Sequence, residues 1–247
     1  MNSNSNSYIF IYSVVMVVVV AAILSTAATL LKPMQQQNIK NEKMSSILAS
    51  VNIESTPENA EELYNKYVTQ ELVVDAKGEI VGTFENGKLS GDARAFDVNI
   101  KAEQFKQSNG EAFISPLYVL KNQGKTFYVI PMLGKGLWGP VWGNIALEDD
   151  FNTVVGVIFD HKGETPGLGA EISTSIFESQ FVGKSIFNKS GEFVSVTIQK
   201  GGVQTLPANM HNHAVDAISG GTITSVGVDD MMKDCLKNYV PYIKNQK

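Results

Sequence analysis

Residues 8–31 form a run of 24 without a charge (YIFIYSVVMVVVVAAILSTAATLL), and nothing else in the chain constrains its fold as strongly. As a helix, at about 1.5 Å per residue, the run would reach about 36 Å, enough to cross a hydrocarbon core about 30 Å thick with some tilt. Tyr8 and Tyr12 stand at one end, where interfacial aromatics are favoured, and Lys32-Pro33 is expected to stop the helix. A cleaved signal peptide would have a shorter apolar stretch preceded by Lys or Arg. Residues 1–7 (MNSNSNS) hold neither, so a retained anchor is expected. The organisation that follows is a tail over 1–7, a transmembrane helix over 8–31, a polar juxtamembrane linker over 32–50 and one soluble domain over 51–247. Lys32, Lys40 and Lys43 favour a cytoplasmic domain by the positive-inside rule. Long domains translocate largely regardless of charge, so the residues leave the orientation open.

With 43% hydrophobic and 18% charged residues, the chain has the composition of an ordinary globular domain plus an anchor. A net charge of −5 and a single arginine, Arg94, provide no basic footprint for nucleic acid. Cys235 is the only cysteine, which excludes an intrachain disulfide and a thiolate metal cluster. It shares an apolar helix face with Val228, Met231, Met232 and Tyr239 and reads as a buried core thiol.

Past the linker, Ser55-Thr56-Pro57-Glu58 predicts a helix start, running to about residue 68, with a hydroxyl cap, a proline in the first turn and an acid at the positive dipole end. Strand-like runs follow at 72–74 and 80–83, then a polar stretch to 110. Residues 117–120 and 127–130 flank Asn122-Gln123-Gly124-Lys125 and predict a hairpin, and 142–147 with 154–159 predict a second. A helix near 171–181, a strand at 193–199 and an amphipathic helix over about 224–239 complete the pattern. Together they predict an α+β fold, in which an antiparallel sheet is flanked by helices.

Three glycine-rich segments fall between these elements: Gly134-Lys135-Gly136-Leu137-Trp138-Gly139-Pro140, Glu164-Thr165-Pro166-Gly167-Leu168-Gly169, and Asp216-Ala217-Ile218-Ser219-Gly220-Gly221-Thr222-Ile223-Thr224-Ser225. Glycine lets a backbone approach a flat or anionic ligand closely, so a side chain at Gly167 is expected to clash there. Neither of the first two segments matches a phosphate motif. The third precedes a helix, whose N-terminus favours an anion, and Thr224 or Ser225 is expected to cap that helix. His211-Asn212-His213, with one further histidine in the chain, offers too few ligands for a metal site. His161 and Glu164 read as loop contacts rather than an acid–base pair.

The third segment resembles the flavinylation signature Asp-x-x-Ser/Thr-Gly-Ala-Thr, with Gly221 where alanine is usual. In that family a dedicated flavin transferase uses FAD to attach FMN, through its phosphate, to the final threonine. The resemblance therefore implies covalent FMN on Thr222, with Asp216, Ser219, Gly220, Gly221 and Thr224 around it. The second segment resembles the ETPGLG loop of the same covalent FMN-binding domain family. The resemblance implies that Glu164, Thr165, Gly167, Leu168 and Gly169 line the flavin together with Gly136, Leu137 and Trp138.

Residues 131–172, the single N-terminal span and the order of motifs are similar to the C subunits of sodium-translocating NADH:quinone oxidoreductases. That resemblance implies an electron-carrier subunit of a sodium-pumping complex, not catalytic alone, which relays electrons from an iron centre between the D and E subunits to the B subunit. It also implies a bacterial inner membrane location, with residues 1–7 cytoplasmic and the flavin domain periplasmic. The G subunits of Rnf-type complexes share the ETPGLG and Ser-Gly-Ala-Thr motifs but lack the GKGLWG segment, and are the nearest alternative. A membrane-anchored FMN-binding sensory module is another.

Overall fold

The structure, a computed structural model, describes residues 5–246. The cytoplasmic tail expected over 1–7 thus lies largely outside the described residues. Two compact units are present, residues 1–43 and 44–247.

From Asn6 on, the first unit is helical. Helix α1, Asn6–Ala49, is one continuous element of 44 residues, long and apolar enough to cross a membrane. The side chains along its apolar run are open, and the Tyr8 and Tyr12 rings stack with centroids 6.3 Å apart. The stop expected at Lys32-Pro33 does not occur, and the helix continues through Pro33 and through the expected linker as far as Ala49. Proline removes one N–H from the ladder, yet the residues around it (Leu30, Leu31, Met34, Gln35, Gln36) are good helix formers and carry the helix past the gap.

In the second unit the last turns of α1 bury Met44, Ile47 and Leu48. Helix α2, Ala60–Tyr67, begins later than the expected cap because Thr56–Asn59 forms a turn in which the Asn59 side chain accepts from the Thr56 N–H. Seven strands then build one antiparallel sheet: β1 (Val68–Asp75), β2 (Ile80–Glu85), β3 (Lys88–Gly91), β4 (Ile114–Asn122), β5 (Lys125–Lys135), β6 (Pro140–Leu147) and β7 (Val154–His161). Their spatial order is β3-β2-β1-β4-β5-β6-β7. The β4–β5 hairpin turns at Gln123 and Gly124, both at positive φ (49° and 79°), which matches the twist of the flanking strands. The polar stretch before residue 110 contains β3 and helix α3, Ile100–Ser108, neither of which hydrophobic periodicity announced. No residue of either is buried.

Alternation along the strands feeds two cores, one on each face of the sheet. Val73, Tyr118, Leu120 and Val129 pack against α2 and the end of α1. Leu72, Leu117, Val119, Ile130 and Met132 face the other way, toward the C-terminal helices. Inside the first core, Arg94 donates through Nε and Nη2 to Glu71, which also accepts from Tyr64 Oη and the Phe96 N–H. The helix expected near 171–181 is broken into 3₁₀ turns around a short α4, Ser175–Glu178. The strand expected over 193–199 shrinks to β8, Thr197–Gln199, which pairs in parallel with β9, Ala214–Asp216. Helices α5, Thr222–Lys237, and α6, Val240–Gln246, end the domain. Val228, Met231, Met232, Cys235 and Leu236 of α5 are buried against the sheet.

Candidate functional site

The three glycine-rich segments meet at the N-terminal end of α5. The first is the β5–β6 turn, closed by a hydrogen bond of 2.7 Å from the Gly136 N–H to the Gly139 carbonyl. It lies so close to α5 that a Cβ on Gly227 would reach 3.4 Å from the Gly136 Cα. The second segment follows β7. There Leu168 and Ala170 both donate backbone N–H to the Thr165 carbonyl, and Gly167 (φ +75°) donates to Glu171 Oε1 at 2.9 Å. It touches the third segment at Gly220, where a Cβ would come within 2.6 Å of Leu168 Cδ2.

Glu164 ties the three together. Its side chain is buried (4% exposed), with Oε1 accepting from the Trp138 N–H at 2.9 Å and Oε2 accepting from Thr224 Oγ1 at 2.6 Å. The Glu164 N–H donates to His161 Nδ1 at 3.2 Å. Gly136 and Gly169 are bare where this carboxylate lies, since a Cβ would sit 2.5 Å from Oε1 on the first and 2.6 Å from Oε2 on the second. Within the protein itself, a Cβ on Gly167 would meet no atom within 4 Å, and its positive φ favours glycine there.

Helix α5 starts two residues earlier than expected, with Gly221 in the N-cap position and no side-chain cap. Thr224 therefore does not cap the helix, because its hydroxyl is buried and spent on Glu164. Ser225 Oγ accepts from the Ile218 N–H at 3.2 Å and so braces the segment before the helix. Thr222 is the first helical residue, half-buried, and among the described residues its hydroxyl meets no partner. The N–H groups of Thr222, Ile223 and Thr224 likewise donate to no described residue, as a first turn without a cap leaves them. Ser219 and Gly220 are exposed beside it. The Asp216 carboxylate is engaged elsewhere, accepting from the Val203 N–H at 2.6 Å.

Apolar side chains stand open on these same segments: Trp138 (68% exposed), Leu137, Leu168, Ile223 and Val226. Ile223 and Val226 escaped sequence reasoning, although apolar residues three apart on the face of α5 opposite Val228 and Met231 are a readable signal. The Glu164–Thr224 bond spans 60 residues and leaves no such signal. The two histidines in His211-Asn212-His213 each meet a backbone carbonyl, Leu206 for His211 and Ser185 for His213.

Residues 136–237 match the FMN-binding domain, a stretch that takes in the second and third segments whole and the first from Gly136 on. Over 237 residues the chain is 35% identical to the C subunit of the Na(+)-translocating NADH-quinone reductase of Haemophilus ducreyi, covering 94% of this chain and 90% of that one. This chain belongs to the family of these C subunits. The C subunit of Vibrio parahaemolyticus is 34% identical, with 92% and 90% covered. The crystal structure of the C subunit from Parabacteroides distasonis superposes with a TM-score of 0.74 at 39% identity, over 88% of this chain and 98% of that one. Likeness to the C-subunit family thus extends from the loops to the α+β architecture.

Proposed function

We propose that this chain is an electron-carrying subunit of a Na(+)-translocating NADH-quinone reductase and holds FMN as a phosphoester on Thr222. One contrast within a single helical turn carries the attachment point. Thr224 is buried with its hydroxyl committed to Glu164, while Thr222 has a hydroxyl without a protein partner among the described residues. The ester oxygen would be Thr222 Oγ1, formed as a flavin transferase breaks the pyrophosphate bond of FAD and AMP leaves.

The surroundings fit a phosphorylated flat ligand. Three backbone N–H groups and the positive end of α5 favour the phosphate. The open faces of Trp138 and Leu168 suit an aromatic ring, and Leu137, Ile223 and Val226 extend that apolar surface. FMN, when bound, supplies the redox chemistry, and the protein orients it and sets its electrostatic surroundings. In this reading Gly220 and Gly221 keep the approach to Thr222 open, and Thr165, Gly167 and Gly169 shape the loop that carries Leu168. The partners are the B, D and E subunits of the complex, in a bacterial inner membrane, with the flavin domain on the periplasmic side.

The decisive experiment is the intact mass of the denatured chain after co-expression with a flavin transferase. The parent chain gains the FMN increment, and Thr222→Ala lacks it. An increment that persists in Thr222→Ala would remove this assignment.

A further inference from the structure

We propose that Glu164 is a positioning residue of the flavin site, a carboxylate that acts through Trp138 and Thr224 to fix the Trp138 indole and the Thr222 hydroxyl relative to one another. The inference rests on Thr222 as the attachment point and goes beyond it by naming what sets the geometry around that point.

A carboxylate only 4% exposed must be matched by donors, and Glu164 has no cationic partner among the described residues. Its donors are neutral and come from two different elements, the β5–β6 turn and the first turn of α5. The placement is electrostatically sound, because it lies against the positive end of α5.

Each bond does something a hydrocarbon at this position could not. The Trp138 side chain is 68% exposed, so little packing holds it, and its place follows from its backbone, which is pinned through its N–H to Glu164 Oε1. Thr224 is pinned inward by Oε2, and residues two apart on a helix point about 200° from one another. Clamping Thr224 inward therefore turns Thr222 outward, to the side where Ile223 and Val226 lie open. Gly136 and Gly169, each with no room for a Cβ beside the carboxylate oxygens, show that both loops are shaped around this group.

The test uses the full chain co-expressed with a flavin transferase, in parent, Glu164→Ala, Thr224→Val, Thr224→Ser and Trp138→Phe forms. An indole held against a flavin quenches its emission. Glu164→Ala and Thr224→Val should keep the FMN mass increment, raise flavin emission several-fold and shift the midpoint potential. Thr224→Ser, which keeps the hydroxyl, should restore parent values. Trp138→Phe should raise emission as well, and Glu164→Ala should add nothing on top of it, since both act through the same contact. Parent-like emission and potential in Glu164→Ala and Thr224→Val, or full additivity with Trp138→Phe, would overturn the proposal. Should Glu164→Ala fail to fold, Thr224→Val with its serine rescue decides alone. A parent chain without the mass increment would sink the attachment reading instead. In that case the anisotropy of Trp138 emission, in a Trp142→Phe background, decides this one without flavin: it should fall in Glu164→Ala, and an unchanged value refutes the role.

Discussion

Gly169 lies against Glu164 with no space for a side chain: a Cβ there would come within 2.6 Å of Oε2 and would also strike the Thr224 hydroxyl. Both neighbours are buried and bonded to each other, so neither can yield cheaply. Gly169→Ala is therefore expected to destabilise the domain by about 2 kcal/mol, in the range of overpacking, and to disturb the flavin spectrum. Gly167→Ala meets open space and should cost only about 1 kcal/mol, through its positive φ. Urea unfolding of the two variants checks the order, and equal losses would contradict it.

Glu178 gives the domain a pH dependence of its own. Burial raises its pKa from 4.5 to about 7, against the opposing Phe159 N–H bond and with help from Asp160. The folded state thus holds this proton more tightly than the unfolded chain does. The resulting stability is complete below pH about 4.5 and is lost as pH rises through about 7. The carboxyl is only half buried, so water screens the effect to on the order of 1 kcal/mol. Thermal melts of Glu178→Gln should lack this fall between pH 4.5 and 7.

Cys235 should be inert in the native protein. Burial pushes its thiol up to about 11, outweighing the Gln104 Nε2 contact, while Sγ donates to the Leu133 carbonyl. A thiol reagent at pH about 8 should label it only after denaturant is added, since the thiolate is the reactive form. Rapid labelling of the folded chain would show that the α5–sheet packing opens readily.

The orientation of the anchor is open to a simple assay. A C-terminal reporter that works only after export should be active, because a domain of some two hundred residues can override the lysines that follow the apolar run. Activity of a cytoplasmic reporter in its place would put the flavin domain on the other side of the membrane.

What the sequence made legible was whatever local pattern alone determines. The Gln123-Gly124 turn, the alternation in β4 to β7 and the apolar face of α5 each show in a few neighbouring residues. Helix α3 did not show, because its start rests on Asn99 accepting from the Ala102 N–H and it buries none of its residues. The stop expected at Pro33 was a local rule overridden by strong helix formers on both sides. Thr224 illustrates the deeper limit. Its neighbourhood reads as a cap, and only folding brings Glu164, 60 residues away, to claim the hydroxyl. The motif singled out Thr222 by resemblance, while the physical reason to prefer it over Thr224 required the fold.

The Arg94–Glu71 pair in the far core has a consequence for the cofactor. The chain owns one arginine and commits it to that pair, held at 2.6 Å on the face of the sheet away from α5. No guanidinium is left to grip a phosphate by the two-pronged contact that reversible phosphate sites favour. A site that held FMN by reversible contacts would release it whenever its concentration around the domain fell. The proposed ester on Thr222 would make occupancy a matter of synthesis history: a site filled once, during assembly, would stay filled however dilute the surroundings become.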